Sequence, residues 1–292
     1  MANTQIAPQL RLKNILVTTD FSEGSKRALE YAIDLAHEHG SKIVVLHAVQ
    51  PEPFTGVPLD PLHECDVVAE REAEREMSRF AESRLFAGLR HQKLIRRGFI
   101  GDVIKGVAQV NAVDLIVLAT HGRTGMKHLV MGSVAEKIFR SAACPVMTIG
   151  PHVPAGRSGR LRKMLFATNF SDSAGRALAY AVALARESGA TLIALHVTDF
   201  VFVEGADFRQ EALAAAEALL HEKIPPPEGL AGFQWLARLG TAVGGILSTA
   251  YDQNADLIVM GLHRHSAIST HLPWTTAHQI VAQAQCPVLT VP

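Results

Sequence analysis

Cysteine is scarce in this chain: Cys65, Cys144 and Cys286 are the only three among 292 residues. Three scattered thiols cannot build a disulfide framework, so a reducing compartment is expected. Net charge is missing as well. Lys plus Arg and Asp plus Glu both number 28, which removes the broad basic surface that nucleic acid or an anionic membrane would need. Any bound anion must be held locally. No stretch approaches the ~18 consecutive apolar residues of a membrane span. The first nineteen residues, MANTQIAPQLRLKNILVTT, lack the charged start, apolar run and small-residue cleavage site of a secretory signal. A soluble cytoplasmic protein is therefore expected. Also absent is the G-x-x-x-x-G-K-[ST] phosphate loop, and no carboxylate is placed as base or magnesium ligand near Gly132. Both absences argue against an efficient ATPase.

What the chain does have is concentrated between Asp114 and Ser133, DLIVLATHGRTGMKHLVMGS. The segment reads as a buried strand (Leu115 to Leu118), a loop carrying Gly122 and Gly125, and a Gly132-Ser133 pair that opens a helix from Val134 to Arg140. Glycine lets backbone approach a ligand closely, and the first amides of a helix are unpaired and partly positive. Strand, loop and helix N-terminus in that order suit a phosphate, and hence a nucleotide.

Upstream, Asn14 to Asp20 reads as a short buried strand, followed by a helix with Ala28, Leu29, Ala32, Ile33 and Ala36 on one face, Ser22 as cap and Gly40 as stop. A second apolar strand, Ile43 to Val49, completes a parallel βαβ unit. Pro51 to Cys65 reads as a loop before a charged helix from Val68 to Leu89, on which Met77, Phe80, Ala81 and Leu85 share a face. A weak strand (Lys93 to Arg97), a helix (Asp102 to Val110) and a last strand (Cys144 to Ile149) frame the glycine-bearing segment. Residues Gly150 to Arg162 shift to Pro, Gly, Ser and Arg, as a linker does.

A second copy follows. Met164 to Ser171 repeats Ile15 to Ser22 at an offset of 149 residues (Asp20 to Asn169), and Leu195-His196-Val197 repeats Leu46-His47-Ala48. Ala255 to Val259 repeats Val113 to Val117, and Cys286-Pro287-Val288 repeats Cys144-Pro145-Val146, now at 142 (Asp114 to Asp256). The seven-residue loss falls between Val197 and Trp235. Two matched halves of five strands alternating with helices indicate a duplicated α/β domain: residues 1–150, a linker 151–162 and residues 163–292.

The T-D-F-S of Thr19 to Ser22, the L-H-A of Leu46 to Ala48, the A-T-H-G plus nine residues plus G-S of Ala119 to Ser133, the V-A-E-K of Val134 to Lys137 and the C-P-V of Cys144 to Val146 together carry a likeness. The chain resembles a tandem member of the universal stress protein family, over nearly all of both halves. The resemblance implies two Rossmann-like domains of the adenine nucleotide alpha hydrolase type, each a five-stranded parallel sheet of order 3-2-1-4-5 with helices on both faces. Strands 1 and 4 would then form a topological switch point, where open α/β sheets bind ligands.

Family members that bind ATP carry Gly, two residues, Gly, nine residues, Gly and Ser or Thr; here Ala119 replaces the first Gly, while Gly122, Gly132 and Ser133 match. The resemblance implies that Asp20 and Ala48 meet the adenine of ATP or another adenine nucleotide, with Thr18 beside it. Ala119, Thr120, His121 and Gly122 would pass near the ribose and phosphates, and Gly132, Ser133 and Val134 would take the outer phosphates, with or without magnesium. It also implies pairing through the last strands, so that Val146 to Ile149 and Val288 to Val291 meet within the chain, and a further homodimer.

The second half departs: Asp20 becomes Asn169, Gly122 becomes Arg264, and Gly132-Ser133 become Trp274-Thr275 after Pro273, leaving Gly261 alone of the pattern. It is expected not to bind ATP in the family manner. Blander readings stand beside these. Asp20 could cap the turn into its helix, Gly125 could be a loop hinge, and Arg123 and Lys127 could be solvated cations. His263, His265, His271 and His278 could ligate zinc, but without nearby cysteine they read first as surface side chains. His47 and His196 read as hydrogen-bonded structural residues, and Cys144 and Cys286 as packing residues. The expected function is a nucleotide-dependent stress-response regulator. The alternatives are a slow ATP hydrolase, a protein autophosphorylated at Ser133, or a ligand-free scaffold.

Overall fold

Ile15, Leu16 and Val17 are apolar without alternation, the pattern of a parallel strand covered on both faces. All three are fully buried in β1 (Asn14–Thr18). The computed structural model describes residues 12–50, 59–81, 86–120, 133–156, 159–199, 206–262 and 276–292. They fall into two units, residues 12–151 and 152–292.

In the first unit β1 is followed by α1 (Glu23–His39). Ser22 is its N-cap, with the side chain accepting from the Ser25 amide at 3.2 Å, and Gly40 ends it in the left-handed conformation at φ 64°. Then come β2 (Lys42–Val49), α2 (Leu59–Ala81), β3 (His91–Arg97), α3 (Ile100–Val110), β4 (Leu115–Ala119), α4 (Ser133–Ser141) and β5 (Val146–Ile149). β1 pairs in parallel with both β2 and β4, β2 with β3, and β4 with β5, so the order is β3-β2-β1-β4-β5. Right-handed crossovers leave β1 toward β2 and β4 toward β5 in opposite directions, so α1 and α4 cover opposite faces. α3 packs on α4.

The second unit repeats this with β6 (Lys163–Thr168), α5 (Asp172–Ser188), β7 (Thr191–Thr198), α6 (Ala206–Lys223), β8 (Gly232–Leu239), α7 (Ala242–Asp252), β9 (Leu257–Gly261), α8 (Thr276–Gln283) and β10 (Val288–Val291). Its order is β8-β7-β6-β9-β10, all parallel. The chain is thus two tandem Rossmann-like α/β domains. Much of the length lost by the second copy lies in one helix: α2 has 23 residues and α6 has 18.

α2 starts at Leu59, well before the Val68 expected from sequence. Pro61 lies in its first turn, where an amide has no intrahelical partner to lose, so the proline does not stop the helix. Ala73 and Met77 form its buried stripe. A carboxylate holds the start of β1 and of its copy. The Asp114 Oδ2 accepts from the Lys13 and Asn14 amides at 2.8 and 2.9 Å, and the Asp256 Oδ2 accepts from the Arg162 and Lys163 amides at 2.9 and 3.0 Å. These carboxylates staple the entry of the central strand to its neighbour in both units.

Gly261, at the end of β9, lies against the first turn of α5. A Cβ there would come within 2.4 to 2.5 Å of backbone atoms of Ser173 and Ala174, a contact that backbone must move to relieve. Gly261→Ala is expected to destabilise this unit by about 1–3 kcal/mol. Both tryptophans, Trp235 and Trp274, belong to residues 152–292, so urea unfolding followed by tryptophan emission reads this unit. An unshifted midpoint would contradict the close approach.

Candidate functional site

β1, β2 and β4 are neighbours, so their carboxyl ends bring Thr18 to Asp20, Ala48, Ala119 and Thr120 to one edge of the sheet. This edge is the switch point between the two crossover directions, where the helices part and a crevice opens. Thr120 is buried, and its amide donates to the Ile149 carbonyl at 3.2 Å. α4 begins at Ser133, so Ser133 and Val134 stand at a helix start whose first amides have no intrahelical partner. His121, Gly122, Gly125 and Gly132 lie outside the described residues, as do Arg123 and Lys127.

The turn from β1 into α1 is held by a network that sequence reasoning largely missed. Phe21 has φ 63°, a left-handed conformation that costs a bulky residue about 1–2 kcal/mol. Three contacts hold it there. Its amide donates to the Thr19 hydroxyl at 2.9 Å, its ring stacks on His47 with centroids 4.4 Å apart, and the Phe80 ring of α2 meets its edge at 5.8 Å. His47 in turn lies 2.8 Å by its Nδ1 from the Thr19 carbonyl. A carbonyl only accepts, so Nδ1 carries the proton and donates. The Thr19 hydroxyl also meets the Ser25 hydroxyl at 3.0 Å.

Within this frame the Asp20 carboxylate has a set direction. Its Oδ1 accepts from the Ser22 amide at 3.1 Å and the Ser22 hydroxyl at 2.6 Å. The turn-capping reading of Asp20 therefore holds for one oxygen, and it orients the whole carboxylate, which is half-buried at the crevice. The helix cap itself is Ser22.

The second unit builds the same turn. Phe170 has φ 59°, its amide donates to the Thr168 hydroxyl at 3.0 Å, its ring lies 4.6 Å from that of His196, and His196 Nδ1 donates to the Thr168 carbonyl at 2.9 Å. The signal in the sequence was the duplication: Thr19, Phe21, Ser22 and His47 recur as Thr168, Phe170, Ser171 and His196 while Asp20 does not.

The universal stress protein family model matches residues 11–150 and again 160–292. The chain belongs to the universal stress protein family. A universal stress protein of Methanocaldococcus jannaschii is 30% identical over 141 residues, covering 47% of this chain and 81% of that protein. One from Synechocystis is 26% identical over 305 residues, covering 96% of this chain and 99% of the relative, so the tandem arrangement is shared along its whole length. Among solved structures, a universal stress protein from Archaeoglobus fulgidus matches with TM-score 0.72 and 22% identity over 97% of both chains, which shows the same fold.

Cys144 is suited to packing rather than to reactivity. Burial pushes the Cys144 thiol up to about 11, away from the reactive thiolate, with the nearby Asp114 charge acting in the same direction. Among the described residues no group of three or more His, Cys, Asp or Glu could hold a metal ion. His263, His265 and His271 lie outside them. No described helix is long and apolar enough to cross a membrane.

His47→Phe keeps a ring to stack on Phe21 and removes the donor to the Thr19 carbonyl. Leaving that carbonyl unpaired is expected to cost about 1–3 kcal/mol. It should also speed hydrogen exchange at the Phe21 amide, while the Phe170 amide stays as it was. Unchanged exchange at Phe21 would show that the bond does not hold the turn.

Proposed function

We propose that this universal stress protein is a nucleotide-dependent regulator that binds ATP or another adenine nucleotide in its first domain, residues 1–150, and acts through conformation or partner binding. The observation that carries the reading is the oriented Asp20 carboxylate at the carboxyl end of β1, beside β4 and at the same sheet edge as Ala48 and Thr120. A carboxylate accepts hydrogen bonds, as the exocyclic amine of adenine requires. Ala48 and Thr18 would bound the base. Ala119, Thr120, His121 and Gly122 would border the ribose and phosphates, and the backbone at Gly132, Ser133 and Val134, opening α4, would receive the outer phosphates. Magnesium, if bound with the nucleotide, would neutralise part of the phosphate charge.

Residues 163–292 form the degenerate copy in this reading, joined by the linker 151–162 and without family-type ATP binding. The last strands of the two domains, β5 and β10, would otherwise each end a sheet with unpaired backbone groups. That supports their pairing within the chain, with a homodimer beyond it. Even charge balance and few cysteines support a cytoplasmic protein with no nucleic-acid or membrane partner.

Mass spectrometry under native conditions is expected to show an adenine nucleotide carried through purification. ATP at about 100 times its dissociation constant should add about 2.7 kcal/mol of stability. Asp20→Ala and Gly132→Val should each abolish both effects; binding unchanged in both variants would overturn the site. ADP release that vanishes in Gly132→Val would mark a slow hydrolase, and no thermal response to any adenine nucleotide would leave a scaffold.

A further inference from the structure

The second domain has a cavity of about 350 Å³ at the carboxyl ends of β6, β7 and β9, walled in part by Ile246 of α7 and Met260 of β9. It is the positional counterpart of the first domain's crevice, and its volume falls within the range of about 300–1,000 Å³ usual for small-molecule sites. Divergence has altered its chemistry without filling it. Thr18, Ser25 and Thr120 of the first domain correspond to Ala167, Ala174 and Leu262, so three hydroxyls have become alkyl groups. Asp20 corresponds to Asn169, and no charged side chain remains in the cavity's described lining. No described lining residue would offset a phosphate.

Asn169 changes the sign of the hydrogen bond on offer. Its Oδ1 accepts from the Ser171 amide at 3.2 Å and the Ser171 hydroxyl at 2.6 Å, which fixes which end of the amide is oxygen. The Nδ2 amino group is left to donate at the cavity. Asp20, held by Ser22 in the same turn, is a carboxylate and only accepts. A ring presenting an amine would match the first domain and oppose donor to donor in the second, where a ring carbonyl would match instead.

We infer that the second domain holds a small-molecule site of its own, selective for an uncharged ring bearing a carbonyl acceptor. The inference does not depend on nucleotide binding by the first domain.

The test titrates the full-length chain, ¹³C-labelled at Ile and Met methyls, with inosine and with adenosine. These nucleosides share a ribose and carry a carbonyl or an amine, respectively, at the same ring position. Inosine should shift the Met260 and Ile246 methyls saturably and bind at least about tenfold tighter than adenosine, the worth of one matched against one opposed hydrogen bond. Asn169→Asp, which reproduces the Asp20 turn, should reverse the order. Met260 and Ile246 methyls unmoved by either nucleoside, adenosine binding there as well as inosine, or an order unchanged in Asn169→Asp would each overturn the proposal. Binding in the first domain is read separately at the Ile104 methyl of α3, the counterpart of Ile246, so the two readings can fail independently.

Discussion

The hydrogen bond from His47 Nδ1 to the Thr19 carbonyl ties the end of β1 to the end of β2 at the place where the chain must turn sharply into α1. The strained Phe21 lies over the His47 ring and depends on that ring's position. Asp20 is the residue between Thr19 and Phe21, so its direction follows from theirs. Strain at a single bulky residue persists only where the surroundings over-determine it. Here a hydroxyl, a carbonyl, an imidazole and a phenyl ring supplied by α2 do so.

The same bond recurs from His196 to the Thr168 carbonyl, over a turn of the same left-handed geometry. Frame and chemistry have therefore separated during duplication. The frame residues Thr, Phe, Ser and His are retained in both copies, while the group the frame presents changes from a carboxylate to an amide. The surrounding hydroxyls change to alkyl groups with it. A turn that orients whatever side chain stands at its second position would let one fold present two chemistries, since a fold supplies the place and its side chains supply the specificity.

Much of the frame was legible in the sequence. Ile15 to Val17 and Leu115 to Leu118 are unbroken apolar runs, the pattern of a doubly covered parallel strand, and Ser22 and Gly40 mark the ends of α1 by ordinary cap chemistry. The start of α2 was not legible, because a proline in a first turn and a proline in a loop look alike in sequence. Asp20 was found through family resemblance and its place at the end of the first strand. The Thr19–Phe21–His47 frame escaped because no residue type announces a left-handed phenylalanine, and its partners are 28 residues apart along the chain. Asp114 was visible as a repeated residue, but its role depends on the amides of Lys13 and Asn14 from the neighbouring strand.

Two equivalent frames present different groups, a carboxylate and an amide, and the proposed nucleotide site belongs to the first alone. The most direct test of that assignment is the stoichiometry of ATP binding to the full-length chain by isothermal titration calorimetry. One ATP per chain is expected. Two equivalent sites, or none, would contradict it.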